Sequence, residues 1–495
     1  MAAEGAVDSQ VVVVGAGPVG LMLAGELRLG GADVIVLERR LRPTTESRAS
    51  TLHARTMEIL DSRGLLEDLG TPPVDQRGHF GGIPLDLTLP SRHPGQWKVP
   101  QTRTEQLLEQ WTRSRGGDIR RGWEVLELAD RGDHVHVTAR TPHGVRQLRA
   151  RYLVGCDGED STVRRLTEAE FPGRSAVREL LRADVAGVDI PNRRFERLEH
   201  GLAIAARRSD GVTRVMVHEF GRAPLQRTGQ PGFDEVIDVW KRVTGEDLSG
   251  GTPLWVNSFG DANRQLTRYR TGRVLFAGDA AHQQMPIGGQ ALNLGLQDAV
   301  NLGWKLALHL RADRSETLLD TYHTERHAVA ARVLSNIRAQ ALLLLGDSEV
   351  EPVRSLLGEL IADEDNRTRL AGMISGLDIR YDVGDGEDPL LGSRLPELTL
   401  ATRRGPVTTT TLLRSGRGLL LDFAARPEAA LGRIAEPWAD RVTTVSAALT
   451  ASDTPAPRQD ALLVRPDGYI VWAGSEESEA GDALRRWFGS AESGR

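Results

Sequence analysis

Apolar and polar positions at the start of the chain fall into a strand, turn, helix, strand rhythm. Gln10 to Val14 is a valine run that predicts a buried strand. Pro18 to Leu29 places apolar residues at helical spacing, and Asp33 to Glu38 returns to a second apolar strand. Strand, helix and strand joined by short turns open a parallel α/β sheet. A polar helix is predicted over Ala54 to Arg63, ended by Gly64. Val125 to Val154 reads as strands: residues alternate in His134 to Thr138, and Tyr152 to Gly155 leads into Asp157-Gly158.

From about 172 to 270 the helical period fades, and β-like stretches such as Thr213 to Glu219 and Leu254 to Phe259 take over. We read a sheet that covers a substrate here. A buried strand then returns at Arg273 to Ala277, a long helix follows from about Asn293 to Leu310, and further helices run to about Ile374. A last unit begins near 398. It has apolar strands at Gly418 to Phe423 and Val442 to Ala448, then a hairpin of Ala461 to Arg465 and Tyr469 to Ala473 about Pro466-Asp467-Gly468. A helix over Glu477 to Phe488 follows. That order is thioredoxin-like, yet the segment holds no cysteine, which points to packing rather than redox chemistry.

Composition narrows the classes. A chain of 495 residues exceeds one ordinary core, so several domains are expected. A net charge of -6 offers no basic footprint, and no nucleic-acid partner is expected. No apolar run reads as long enough to span a bilayer, so no membrane partner is expected. Met1 to Gln10 lacks the basic-then-apolar pattern of a leader, which makes the cytoplasm the expected location. Cys156 is the sole cysteine, which excludes an intramolecular disulfide and a thiol–disulfide exchange mechanism needing two thiols. No metal-ligand spacing stands out, and no metal is expected.

Candidate chemistry starts at Gly15-Ala16-Gly17-Pro18-Val19-Gly20, a GxGxxG run between the valine strand and the first helix. In that context the glycines permit a tight turn and close approach to a pyrophosphate, whose charge the helix N-terminus stabilises. Glu38 ends the next strand, where a carboxylate accepts from ribose hydroxyls. By itself the motif suits NAD as well as FAD. Two further elements decide. One is Cys156-Asp157-Gly158 with Ser161, Val163 and Arg164. The other is Gly278-Asp279-Ala280-Ala281-His282, followed by Pro286, Gly288-Gly289-Gln290 and Asn293. Asp279 ends a buried strand, a position suited to a ribityl hydroxyl. Gly288-Gly289 precede the long helix, where their amides and the helix N-terminus face a flavin pyrimidine.

Together the three motifs resemble the class A, single-component flavoprotein monooxygenases of the para-hydroxybenzoate hydroxylase fold, over roughly residues 10 to 390. Glu46-Ser47-Arg48, His53 to Glu58 and Gly78-His79-Phe80-Gly81-Gly82 are similar to the aromatic polyketide hydroxylases, the angucycline oxygenases most of all. The resemblance implies an α/β fold with a Rossmann-type FAD-binding domain, an inserted β-sheet substrate domain and a C-terminal thioredoxin-like domain. The expected bounds are 1–171 and 271–397 for the FAD-binding parts, 172–270 for the sheet and 398–495 for the cysteine-free end. It implies pyrophosphate contacts at Gly15, Gly17 and Gly20, the adenosine ribose at Glu38, and FAD contacts at Arg48 and Gln101. Asp157 joins the motif linked to FAD and nicotinamide, and Asp279 holds the ribityl chain. Pro286, Gly288, Gly289, Ala291, Leu292 and Asn293 form the flavin loop. Arg48 and Pro286 are the positions it places nearest catalysis. The sequence departs from the family at Ala291, where a glycine is usual.

The implied reaction takes electrons from NADPH, or NADH, and oxygen from O2, and hydroxylates a small polycyclic aromatic polyketide of angucyclinone type. Baeyer–Villiger oxygen insertion is the alternative. An oxygen-independent FAD reductase is a second one. No second GxGxxG follows residue 38, which fits a nicotinamide that binds transiently. His79, His218 and His282 are candidates by type for a base. Trp97, Trp240 and Trp255 are candidates for stacking, with the core as their plainer reading.

Overall fold

A computed structural model describes residues 7–45, 49–208, 210–225, 227, 229–311, 316–384, 386–424, 430–450 and 457–491. Arg48, with Glu46 and Ser47, lies outside them. The fold is α/β. Its centre is an eight-stranded sheet whose parallel core places Asp118–Arg121, Val34–Glu38, Ser9–Val14, Gly144–Gly155 and Val274–Phe276 side by side. Val11, Val12 and Val13 are fully buried, because a strand covered on both faces has no polar side to alternate with. Glu124–Asp130 and Val135–Thr141 extend the sheet as an antiparallel ribbon on Gly144–Gly155. The helices Pro18–Leu29 and Gln290–Arg311 pack together on this sheet.

Residues 179–260 carry a second sheet, five strands ordered Arg193–Leu198, Gly201–Arg207, Thr213–Glu219, Glu179–Ala186 and Thr252–Gly260. They also contain a helix, Phe233–Thr244, that the sequence reading did not place. Its Val236, Val239, Trp240 and Val243 sit at i, i+3, i+4 and i+7 and cover one sheet face, so Trp240 is a core residue. The other face, with Leu180, Leu202 and Phe259, packs on Met285, Ile287 and Ala341. That second face is what brings the sheet over the loop beginning at Pro286.

The helix Thr317–Leu345 corrects a second expectation. It is 29 residues long and apolar enough by composition to cross a membrane. In this fold half of that stretch is buried, and Glu325 and Arg326 lie inside the protein in ion pairs. Leu319, Leu334, Ile337, Leu343, Leu344 and Leu345 are buried against protein, while Leu342 is exposed.

The C-terminal unit has a four-stranded sheet. Val442–Ser446 runs parallel to Gly418–Asp422, which pairs antiparallel with Ala461–Val464, and Ile470–Gly474 closes the hairpin. The hairpin turn is fastened to the rest of the chain by buried charge. Arg465 donates to Glu325 Oε1 at 2.6 Å and to Asp467 Oδ2 at 2.5 Å, and Lys305 Nζ donates to Glu325 at 2.8 Å. Burial alone would raise the Glu325 carboxyl, but Arg465 and Lys305 outweigh it and hold it at about 2. Burial likewise pulls the Lys305 ammonium down to about 7 against the attraction of Glu325. Arg55 and Arg63 donate to the carbonyls of Asp467 and Pro466 at 2.8 and 3.0 Å.

Candidate active site

The glycine turn after the strand Ser9–Val14 takes the shape the motif requires. Gly15 has φ +106, and a Cβ there would meet the Cys156 carbonyl oxygen at 2.4 Å. A Cβ at Gly20 would lie 2.0 Å from the Gly15 carbonyl oxygen, so the helix packs on the turn only because that side chain is hydrogen. At Gly17 an added Cβ would meet nothing within 4 Å. Gly17 thus opens onto a cavity of about 710 Å³ at the N-terminus of the helix Pro18–Leu29.

This cavity brings together Gly15, Gly17, Glu38, Gln101, Asp157, Asp279, Pro286, Ala291 and Leu292. Glu38 accepts from the Ala16 amide at 2.9 Å and the Arg40 amide at 2.8 Å. A carboxylate offers about four lone-pair positions, so it ties down the glycine turn and keeps capacity for ribose hydroxyls. Gln101 Oε1 accepts from the Ala49 amide at 3.2 Å, and its Nε2 donates to Glu105 at 2.8 Å. Burial raises the Glu105 carboxyl above the usual range. Asp157 accepts from Ser161 Oγ at 2.6 Å and the Val163 amide at 3.0 Å, which orders the turn ahead of Thr162–Leu166. Arg164 from that turn donates to the Ala280 carbonyl at 3.0 Å and ties the second motif to the third. Asp279 itself is exposed on the cavity wall.

The third motif is supported from behind. Asp298, on the long helix, accepts from the Gly278 amide at 3.1 Å, from His282 Nε2 at 2.8 Å and from Arg326 at 2.7 Å. Burial works against its charge, but Arg326 and His282 keep its carboxyl below the ordinary value. Gly288 and Gly289 take left-handed φ of +64 and +72 just ahead of the helix. Asn293 holds that turn to the strand Thr51–His53: its Oδ1 accepts from the His53 amide, and its Nδ2 donates to the Thr51 and Gly289 carbonyls. Gly20, Gly288, Gly289 and Asn293 therefore shape the wall from outside the cavity lining.

The histidine candidates stand elsewhere, and none lines this cavity. His282 is buried against Asp298. His218 faces the Glu179 and Leu345 carbonyls, and burial lowers its pKa. His79 packs on Phe195 at 4.0 Å between ring centres, and burial, with Arg194 and Lys98 nearby, pulls it down to about 4. Trp97 packs partly buried against the main core. Residues the sequence did not single out complete the wall: Arg182, Asn257 and Phe259 from the inserted sheet. Arg182 donates to Asn257 Oδ1 at 3.0 Å, and its guanidinium lies over Trp255 at 4.6 Å and Phe259 at 5.2 Å. The alternation of a sheet strand gave no sign that this arginine would face a cavity.

The open Gly17, the Glu38 carboxylate and the exposed Asp279 along one cavity suit an extended dinucleotide with a polar chain, which is the shape of FAD. Residues 8–337 match the FAD binding domain family, and residues 388–491 match the aromatic-ring hydroxylase C-terminal family. The chain is 42% identical over 508 residues to the 12-dehydrotetracycline 5-monooxygenase/anhydrotetracycline 6-monooxygenase of Streptomyces rimosus, covering 97% of this chain and 98% of that protein. It is 42% identical over 501 residues to the rifampicin monooxygenase of Streptomyces venezuelae, covering 98% and 99%. The crystal structure of CabE, an aromatic hydroxylase from angucycline biosynthesis, matches with a TM-score of 0.93 at 47% identity, covering 98% of this chain and all of that one.

Proposed function

The chain belongs to the FAD-binding aromatic-ring hydroxylases, and on that premise we propose that it uses NADPH and O2 to hydroxylate an angucyclinone-type polycyclic polyketide. FAD is its cofactor and monooxygenation its reaction class. The observation that carries the finer reading is one continuous cavity. Its lining includes the dinucleotide turn, Asp279 and Pro286, and a wall from the inserted sheet made of Arg182, Asn257 and Phe259. Bound there, FAD accepts electrons from a nicotinamide and activates oxygen.

The chain's own residues bind, orient and exclude water. In this reading Gly15, Gly17 and the helix N-terminus hold the pyrophosphate, Glu38 the adenosine ribose and Asp279 the ribityl chain. Arg48 keeps the contact near the flavin that the family resemblance assigns to it. The N-terminus of the long helix, which reaches the cavity at Ala291 and Leu292 behind the Gly288-Gly289 turn, would stabilise negative charge on the flavin pyrimidine. Arg182 faces the aromatic end of the cavity. A buried cation there lowers the pKa of a phenol beside it and favours the phenolate, whose ring is richer in electrons. No histidine base is then needed, in keeping with the placement of His79, His218 and His282 away from this wall.

The test is incubation of the FAD-loaded enzyme with a tetracyclic angucyclinone, NADPH and labelled oxygen gas, with mass spectrometry of the product. One labelled oxygen on an intact carbon skeleton is the expected result. A labelled ring-expanded lactone would assign Baeyer–Villiger insertion instead. NADPH oxidation that leaves the angucyclinone unlabelled would overturn the substrate class.

A further inference from the structure

Two supports of the flavin cavity lead to one place, the hairpin about Pro466-Asp467-Gly468 in the C-terminal unit. The first starts at the turn that carries Asp279. The Gly278 amide donates to Asp298 Oδ2 at 3.1 Å, and Asp298 Oδ1 accepts from Arg326 Nε at 2.7 Å. Arg326 also donates to the Tyr381 hydroxyl at 3.0 Å. The Tyr381 ring packs on Tyr469 of the hairpin, 4.4 Å between ring centres, and lies under the Arg465 guanidinium at 5.1 Å. Glu325, the residue before Arg326, is the carboxylate to which Arg465 donates. The second support starts at the Gly288 carbonyl, which accepts from His53 at 2.7 Å. His53 ends its strand, and two residues on Arg55 donates to the Asp467 carbonyl at 2.8 Å and lies over Tyr469 at 5.1 Å.

Asp298 and Arg326 are fully buried, and His53, Arg55, Tyr381 and Asp467 are buried with them. None of these residues lines the flavin cavity, so they act on it from behind. In a buried polar network each member is satisfied in few arrangements, and water is not at hand to absorb a shift at one end. A displaced hairpin therefore displaces Arg326 and Arg55, and with them the Gly278 and Gly288 turns.

We propose that the cysteine-free C-terminal unit positions the flavin, with Tyr381 and Arg55 as positioning residues that hold the Gly278 and Gly288 turns from behind. The inference rests on FAD lying along the cavity past Asp279, as the proposed function has it. FAD binding must then tighten the hairpin in return, because a coupling free energy between two sites acts equally on both. The test uses the full-length protein with FAD removed and restored. Tyr381→Phe deletes the hydroxyl that Arg326 meets, and Leu400→Ala opens the core of the same unit at a fully buried residue away from both supports. Titration followed by flavin fluorescence should give an FAD dissociation constant raised about fivefold in Tyr381→Phe and unchanged in Leu400→Ala, although Leu400→Ala loses more stability to denaturant. Amide exchange of the parent is the second measurement. FAD should slow exchange at Ala461–Val464 and Ile470–Gly474 more than at the hairpin of Thr399–Thr402 with Gly405–Thr408, and Tyr381→Phe should narrow that difference. Equal FAD affinity in Tyr381→Phe and the parent, or equal slowing at the two hairpins, would overturn the positioning role. FAD that binds without slowing exchange at Ala16 to Leu21 or at Gly278 to Ala281 would overturn the cavity reading on which it rests.

Discussion

His53 Nε2 stands 2.7 Å from the carbonyl oxygen of Gly288, joining the strand Thr51–His53 to the turn that begins the flavin loop. A carbonyl only accepts, so Nε2 carries the proton and donates it. Nδ1 is buried with no partner among the described residues, which suits the neutral ring. Burial pulls the His53 pKa down to about 4, the Gly288 carbonyl acting in the opposite sense, and burial does the same to His79.

A pH dependence follows from these two rings. Both have folded-state pKa values below the ordinary histidine value of 6.5, so between about 6.5 and 4 the unfolded chain binds more protons than the folded one. Their contribution to stability is complete above that window and is lost as the pH falls through it. Denaturation midpoints measured from pH 8 to pH 4 should be flat, as far as these groups act, down to about 6.5 and then drop. His53→Gln, which keeps a donor for Gly288 and removes the titration, should lower the slope by about one proton. An unchanged slope in that variant would show that His53 is not buried neutral in the fold.

Glu38 does two tasks, and its removal should expose both. Its carboxylate accepts from the Ala16 amide within the glycine turn, and the proposed function gives it the ribose as well. Glu38→Ala should weaken FAD retention by about 1.5–3 kcal/mol, the range for hydrogen bonds to a charged group. Reconstitution of the FAD-free protein, followed by flavin fluorescence, measures it. FAD affinity equal to the parent's would remove Glu38 from the site.

Much of this site is legible in sequence because its parts are local. Gly15 to Gly20, Asp157-Gly158 and Gly278-Asp279 each sit where a strand ends and a helix or turn begins, and such turns are written in a few neighbouring residues. What escapes is what distant segments build together. Arg182 reads as one polar residue in a strand, and only the packing of that strand on the loop after Met285 turns it toward the flavin cavity. Asp298 reads as a helix residue, although it holds Gly278 and His282 from across the chain. Phe233–Thr244 is a different case. Its i, i+3, i+4, i+7 apolar spacing and the Gly245 stop are visible in sequence, and the surrounding strands masked them.

The clamp at Arg465 predicts how the C-terminal unit contributes. Arg465 is fully buried between Glu325 and Asp467, so Arg465→Met would leave two carboxylates short of their cation. Breaking one partner of a buried ion cluster costs about 3–5 kcal/mol. Chemical denaturation should show that loss in Arg465→Met. The double variant Arg465→Met/Glu325→Gln should recover part of it, because one uncompensated charge has gone. Equal stability of Arg465→Met and the parent would mean that the hairpin turn does not anchor the C-terminal unit.

Ala291 offers the sharpest test of the flavin loop. It follows two left-handed glycines, Gly288 and Gly289, and it lines the flavin cavity beside Leu292 and Pro286. The family resemblance places a glycine there, so this chain adds a methyl group where the helix first turns toward the cofactor. Under the proposed function a methyl there leaves the pyrophosphate and ribose contacts at Gly15, Gly17 and Glu38 untouched, since those residues belong to a different turn and strand of the same cavity. In the same reading it narrows the space at the flavin ring end, where a nicotinamide would approach and any shift of the ring would be accommodated. Removing it also loosens the helix start, since glycine costs about 1 kcal/mol relative to alanine within a helix. Ala291→Gly should therefore change the rate of flavin reduction by NADPH in stopped-flow absorbance while FAD affinity stays close to the parent's. If the two proteins are reduced at the same rate, the methyl group has no part in how the ring is reached. If FAD affinity falls together with the rate, the residue acts on binding through the helix start rather than on access to the ring.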